Sequence, residues 1–204
     1  MPHLVILYTP NIEAQIDMTP LCRRLADAML TVRDETGKPV PIHAVIGAAE
    51  RYNLMPAIDR LVVTAALAHA AEIHERGDAA EMGMLFINLS GPSLGDEGFL
   101  DFARAQFVRY GVPYDSICFE LTETAAIASF AKAAEFMLAL KGLGCRFSLD
   151  DFGSGMSSLA YLKHLPVDYL KIDGAFVRDI VDDPIDRAMV EAINNVGHVM
   201  GKKT

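Results

Sequence analysis

Asn88, Glu120, Glu123, Asp150, Asp151, Lys171 and Asp173 are the residues whose types and spacing could do chemistry together. Positions 88, 120, 150 and 171 lie 32, 30 and 21 residues apart, about one strand plus one return helix each time. Taken singly they mean little. A lone acid at a strand end reads as a helix cap or a solvated loop charge, and Asp150-Asp151 ahead of Phe152-Gly153 also suits a turn. Lys171, between Leu170 and Ile172 in a strand, faces the opposite way from both. Taken together, carboxylates, an amide oxygen and a lysine at one rim would repel and be costly to desolvate unless paired. Oxygen-only donors resolve that conflict by holding hard cations, Mg²⁺ or Mn²⁺, whereas zinc would want His or Cys, which these strand ends lack. Two such ions about 3.5–4 Å apart can clamp a phosphodiester and activate water, and a nearby lysine can neutralise developing charge. The rival chemistry is a Schiff-base lysine with Lys171 as nucleophile. It leaves the acids unexplained.

Two periods of hydrophobicity position these residues. Short β-rich runs fall at 4–8, 84–90, 116–123, 146–151 and 168–174, with a weaker one at 27–34. Helical spacing of apolar residues covers 55–76, 99–111, 126–144 and 183–201. Gly111 and Gly144 sit where C-terminal caps belong, and Pro184 suits a first helical turn. Alternating strands and helices predict a parallel sheet with helices packed outside. Polar residues then return to the C-terminal rim strand after strand, as in a (β/α) barrel. An open doubly wound sheet would also gather them at its carboxyl edge, but gives no reason for so many strands to contribute. The expectation is one domain, residues 1–204, of modified TIM (β/α)₈ type.

Composition narrows the function classes. Lysine and arginine number 18 against 27 acidic residues, a net charge of −9. That argues against DNA, RNA or an anionic membrane surface as partner, each of which wants a basic face. A small anionic ligand stays open, since bound cations reverse the local field. No apolar run is long enough to span a bilayer, and MPHLVILYTP lacks a basic leader and a cleavage site. Cys22, Cys118 and Cys145 are widely spaced in apolar contexts and read as buried, reduced thiols. A cytoplasmic location is the expectation.

The runs FINLS, FELTET, SLDDFGSGMSSLAYLKHLPVDYLKIDGAFV and PIHAVIGAAERYNLMPAIDR resemble the EAL-domain phosphodiesterases. The resemblance implies a modified barrel whose first strand runs antiparallel. It also implies Mg²⁺- or Mn²⁺-dependent hydrolysis of cyclic di-GMP to the linear dinucleotide. Residue by residue, it implies that Asn88, Glu120 and Asp150 are metal ligands and that Asp151 serves a second metal. Glu123 matches the acid that holds the DDFGSG loop, and Lys171 matches the catalytic lysine.

There are departures from the family pattern. Counting back from VRDETG places Asp27-Ala28-Met29-Leu30-Thr31 where the family has Glu-Ala-Leu-Leu-Arg. Asp27 thus stands for the name-giving ligand and Thr31 for a phosphate-contacting arginine. Pro10 replaces a nucleotide-contacting glutamine, and Met156 a usual tyrosine. The chain stops at MGKKT, before the family's Ala-Glu-Gly-Val-Glu strand, so about six of eight strands are expected. Three readings follow: a phosphodiesterase with impaired turnover, an inactive module that binds cyclic di-GMP or a protein, or a truncated remnant. Open sheet edges predict self-association, and regulatory input is expected from a GGDEF or sensor-domain partner.

Overall fold

A computed structural model of the chain describes residues 42–76, 83–154 and 159–204. They fall into two compact units, one ending at Ile117 and the other running Cys118–Thr204.

In the first unit, α1 (Ile42–Arg51) leads through Asn53, in the left-handed region at φ 54°, into the long α2 (Met55–Glu75). Pro56 in the first turn of α2 loses no helical hydrogen bond there. Met55, Asp59, Val63, Ala66, Leu67 and Ala70 recur every three or four residues and form the buried stripe of α2. That helix packs on β1 (Leu85–Asn88), on the short α3 (Gly91–Gly95) and on α4 (Phe99–Tyr110). Helix α4 buries Phe99, Ala103 and Phe107, one turn apart. It ends at Gly111, whose φ of 63° lets its N–H reach the carbonyl of Phe107, the left-handed cap that the sequence predicts.

In the second unit, β2 (Ile117–Thr122), β3 (Arg146–Phe152) and β4 (Tyr169–Ile172) run parallel in that order. Between β2 and β3 lie α5 (Glu123–Ala128), capped by the Thr122 hydroxyl, and α6 (Phe130–Lys141). Phe136 of α6 meets Phe119 and Phe147 edge-on, at 6.4 and 6.1 Å between centroids. With Leu121 and Leu149, these rings make one face of the sheet a fully apolar core. Alternation sends Cys118, Glu120, Ser148, Asp150 and Lys171 to the other face. Short α7 (Leu159–Leu162) precedes β4, and α8 (Gly174–Arg178) and α9 (Pro184–Val199) follow it. Asp183 caps α9 through two amide hydrogen bonds, with Pro184 in the first turn as expected. Beyond α9, Lys203 forms a parallel bridge with Tyr169.

The expected strands at 84–90, 116–123, 146–151 and 168–174 are therefore present; those at 4–8 and 27–34 lie outside the described residues. The helix expected over 126–144 is corrected to two. Ser129, at φ −127° and ψ 41°, leaves helical geometry between α5 and α6. Gly144 does close α6 as expected: the helix itself stops at Gly142, and Gly144, at φ 119°, donates its N–H to the Lys141 carbonyl while the Cys145 N–H reaches the Leu140 carbonyl. Among the described residues no helix is long and apolar enough to cross a membrane.

Candidate active site

The polar face of the second unit is centred on Glu120. It sits mid-strand in β2, opposite Ser148 of β3, and is wholly buried. Lys171 Nζ lies 3.1 Å from Glu120 Oε1 and 3.1 Å from Asp150 Oδ1. Burial pushes the Glu120 carboxyl above the ordinary range against the pull of the Lys171 ammonium, and the Asp150 charge adds to the rise. For Lys171, burial works against the charged form, but Glu120 and Asp150 outweigh it and the net movement is upward. The lysine therefore keeps its proton. That disfavours the Schiff-base chemistry, which needs a neutral amine.

A bulge gathers the other acids. From Leu149 to Phe152 is three steps on β3, while the paired Leu170 to Ile172 is two on β4. The extra residue is accommodated at Asp151, a non-glycine residue at φ 53°. Aspartate tolerates that left-handed conformation better than most residues. A regular strand would point Asp150 and Asp151 to opposite faces; a bulge re-aims them. The Asp151 carboxyl is raised, first by burial and then by the charges of Asp150 and Asp173.

Glu123, the first residue of α5, is buried, and its Oε2 accepts the backbone N–H of Gly153 at 3.0 Å. Gly153 has φ 100°, and a Cβ there would stand 2.9 Å from Ile193 Cδ1 and 3.1 Å from Phe176 Cε2. Only glycine fits that turn. Asp173, by contrast, takes the ordinary role: its Oδ1 accepts the Ala175 N–H at 2.7 Å and caps α8. Asn88 ends β1 in the first unit, and Asp27, Thr31, Pro10 and Met156 lie outside the described residues.

The structure thus brings together Glu120, Asp150 and Lys171 directly, with Asp151 beside Asp150 and Glu123 bracing the turn that follows. Ser148 was missed in the sequence reading. It stands between Phe147 and Leu149, and the alternation that orients Lys171 also puts it on the polar face beside Glu120. The donors are all oxygen, and the buried Glu120 Oε2 and Ser148 Oγ make no hydrogen bond among the described residues. Such a set fits a hard divalent cation. No three His, Cys, Asp or Glu side chains among the described residues already converge on one point. Lys171 holds the space between Glu120 and Asp150.

The pattern of the EAL domain matches residues 13–204. Cyclic di-GMP phosphodiesterase PdeB of Shewanella oneidensis is 38% identical over 182 residues, covering 89% of this chain and 21% of the relative. Cyclic di-GMP phosphodiesterase PdeA of Borreliella burgdorferi is 35% identical over 163 residues, covering 80% and 24%. The chain spans about a fifth to a quarter of the length of these relatives. Among solved structures, the FimX EAL domain from Pseudomonas aeruginosa bound to c-di-GMP superposes with a TM-score of 0.73 at 27% identity, covering 84% of this chain and 67% of that one. The fold is accordingly α/β of the modified barrel type, as the strand-end clustering predicts. The sequence match runs through nearly the whole chain, and its DDFG and LKID segments form the acidic face around one lysine: this protein belongs to the EAL-domain family.

Proposed function

We propose that the chain binds cyclic di-GMP and hydrolyses one of its phosphodiester bonds to give the linear dinucleotide, at a reduced rate. The observation that carries this reading is Lys171 lodged between Glu120 and Asp150 at 3.1 Å from each. Its fixed ammonium is placed to meet a phosphodiester or orient a water against it. Glu123 holds the turn after β3 through the Gly153 amide, which keeps Asp150 and Asp151 at the mouth of the face. Glu120, Asp150, Asp151 and, by resemblance, Asn88 and Asp27 would hold Mg²⁺ or Mn²⁺. Those ions supply Lewis acidity toward the phosphodiester and toward water.

The reduced rate follows from the departures at Asp27 and Thr31. Aspartate falls one methylene short of glutamate, about 1.5 Å of reach, while ligand distances tolerate only about ±0.2 Å. Threonine cannot replace the bidentate grip of arginine on phosphate. These two positions also favour a second reading, a module that binds cyclic di-GMP and signals without turnover.

Chromatography of cyclic di-GMP incubated with the protein and Mn²⁺, beside calorimetry of nucleotide binding, separates the two. Slow formation of linear dinucleotide, abolished in Lys171→Ala and accelerated in Asp27→Glu, supports hydrolysis. Binding without product supports the module. Turnover undiminished in Lys171→Ala would remove the lysine from the mechanism.

A further inference from the structure

Asp59 is a buried carboxylate that the proposed chemistry does not use. It lies on the inner stripe of α2, 4% exposed, in the PAIDR segment. Three donors converge on its Oδ2: the Ser90 N–H at 2.8 Å, the Ser90 hydroxyl at 2.6 Å and the Ser93 hydroxyl at 2.6 Å. Ser93 is itself buried. Ser90 occupies the N-cap position of α3, where a serine hydroxyl ordinarily accepts from the helix's own amides. Here it makes no such cap and donates to Asp59. A cap interaction has been given up for a long-range tie across 31 residues of sequence.

That tie closes two residues beyond Asn88. Ile87 and Leu89, on either side of Asn88, are buried in the core at 0% and 5% exposure. Those two side chains anchor the end of β1 in the core, and the Ser90 amide held by Asp59 fixes the path of the chain as it leaves Leu89. We propose that Asp59 is a positioning residue for Asn88, clamping the turn after β1 through Ser90 and Ser93 so that the Asn88 amide keeps the aim a metal ligand needs. This inference rests on the reading of Asn88 as a ligand. Groups that orient ligands from behind commonly change metal affinity ten- to a hundredfold when removed.

The test is calorimetric titration of the full chain with Mn²⁺ alone, with thermal melting of each variant alongside. Asp59→Ala should bind Mn²⁺ about tenfold more weakly. Asp59→Asn, which keeps an oxygen where the three donors meet, should restore most of that loss. Arg60→Ala is the control for general loosening. The neighbouring side chain pairs with Asp96 at 2.6 Å and lies over Phe99, so its loss should lower the melting temperature and leave Mn²⁺ affinity alone. Affinity in Asp59→Ala within twofold of the unaltered chain overturns the proposal, and so does an equal loss in Arg60→Ala. Should Asp59→Ala not fold, Ser90→Ala removes one of the two ties to Ser90. Its affinity should fall several-fold, and an unchanged value is equally fatal. Asn88→Ala keeps the two failures apart. If that variant binds Mn²⁺ normally, the ligand role of Asn88 is wrong; if it binds weakly while Asp59→Ala does not, only the clamp is wrong.

Discussion

Glu123 Oε2 accepts the Gly153 N–H at 3.0 Å, tying the first turn of α5 to the turn that follows β3. Gly153 itself adopts φ 100°, a conformation that favours glycine. Gly153→Ala should break the arrangement twice over. A left-handed non-glycine residue costs about 1–3 kcal/mol, and the new methyl would press on Ile193 and Phe176 at 2.9 and 3.1 Å. A total loss of about 2–4 kcal/mol is expected, read by urea unfolding. A loss under about 0.5 kcal/mol, the level of an ordinary surface change, would mean the turn relaxes freely.

Removing the lysine between the acids should cost more than an average substitution. Lys171→Met leaves Glu120 wholly buried without its counter-charge. Breaking a buried pair from one side typically costs about 3–5 kcal/mol. With Lys171 one-fifth exposed, the low end is expected, a melting-temperature drop of about 6–12 °C for a chain of this size. Glu120→Gln in the same chain should recover much of it, because the stranded charge is gone. A double-mutant cycle measures this directly. Additive losses would show that Lys171 and Glu120 do not depend on each other.

Much of this face was legible in the sequence. The β-rich runs at 84–90, 116–123, 146–151 and 168–174 locate all four described strands, and alternation about Leu170 orients Lys171 correctly. The bulge at Asp151 was not legible. An Asp-Asp pair carries no mark of how many residues the neighbouring strand will offer, and the two-against-one count exists only once β4 is paired. The break at Ser129 escaped for a related reason: apolar spacing continues across it in AIASFAKAAEF, so periodicity sees one helix. Nothing in the spacing of residues 55–76 singles out Asp59. Its burial depends on Ser90 and Ser93 arriving from beyond β1, which spacing within α2 cannot announce.

The thiols offer a simple check on the core of the second unit. Cys118 and Cys145 are buried and unpaired, as the sequence led us to expect. Burial raises both; Cys145 is pushed up to about 12, and Cys118 higher still with the Glu120 charge adding to it. At pH 8 a thiol with a value near 12 is about one part in ten thousand thiolate, the reactive form. Neither should react with a disulfide reagent in the native protein, and both should react at once in urea. Peptide mass spectrometry after timed labelling reads each site separately. Rapid native-state labelling at either would mean that the strands bearing them open readily.

Asp59 should leave a signature in the acid limb of the stability curve. Burial raises its carboxyl above the ordinary value of 3.8, and the Ser90 and Ser93 donors offset only part of that rise. The folded chain therefore holds this proton to higher pH than the unfolded chain does. Below 3.8 both states are protonated and the group's full contribution is present. As pH rises from there through the folded value, the unfolded state ionises first and stability is lost. Above the folded value the loss is complete and the contribution is flat. Asp59→Asn has no proton to release in this range. The stability of that variant minus that of the unaltered chain should consequently grow as pH is raised from about 3.5 and then level off. Urea unfolding at closely spaced pH values between about 3.5 and 8 measures the difference while cancelling every other titrating group. A difference that shrinks over the same range would show the opposite sign, with the three hydrogen bonds outweighing desolvation and holding the carboxyl below its ordinary value.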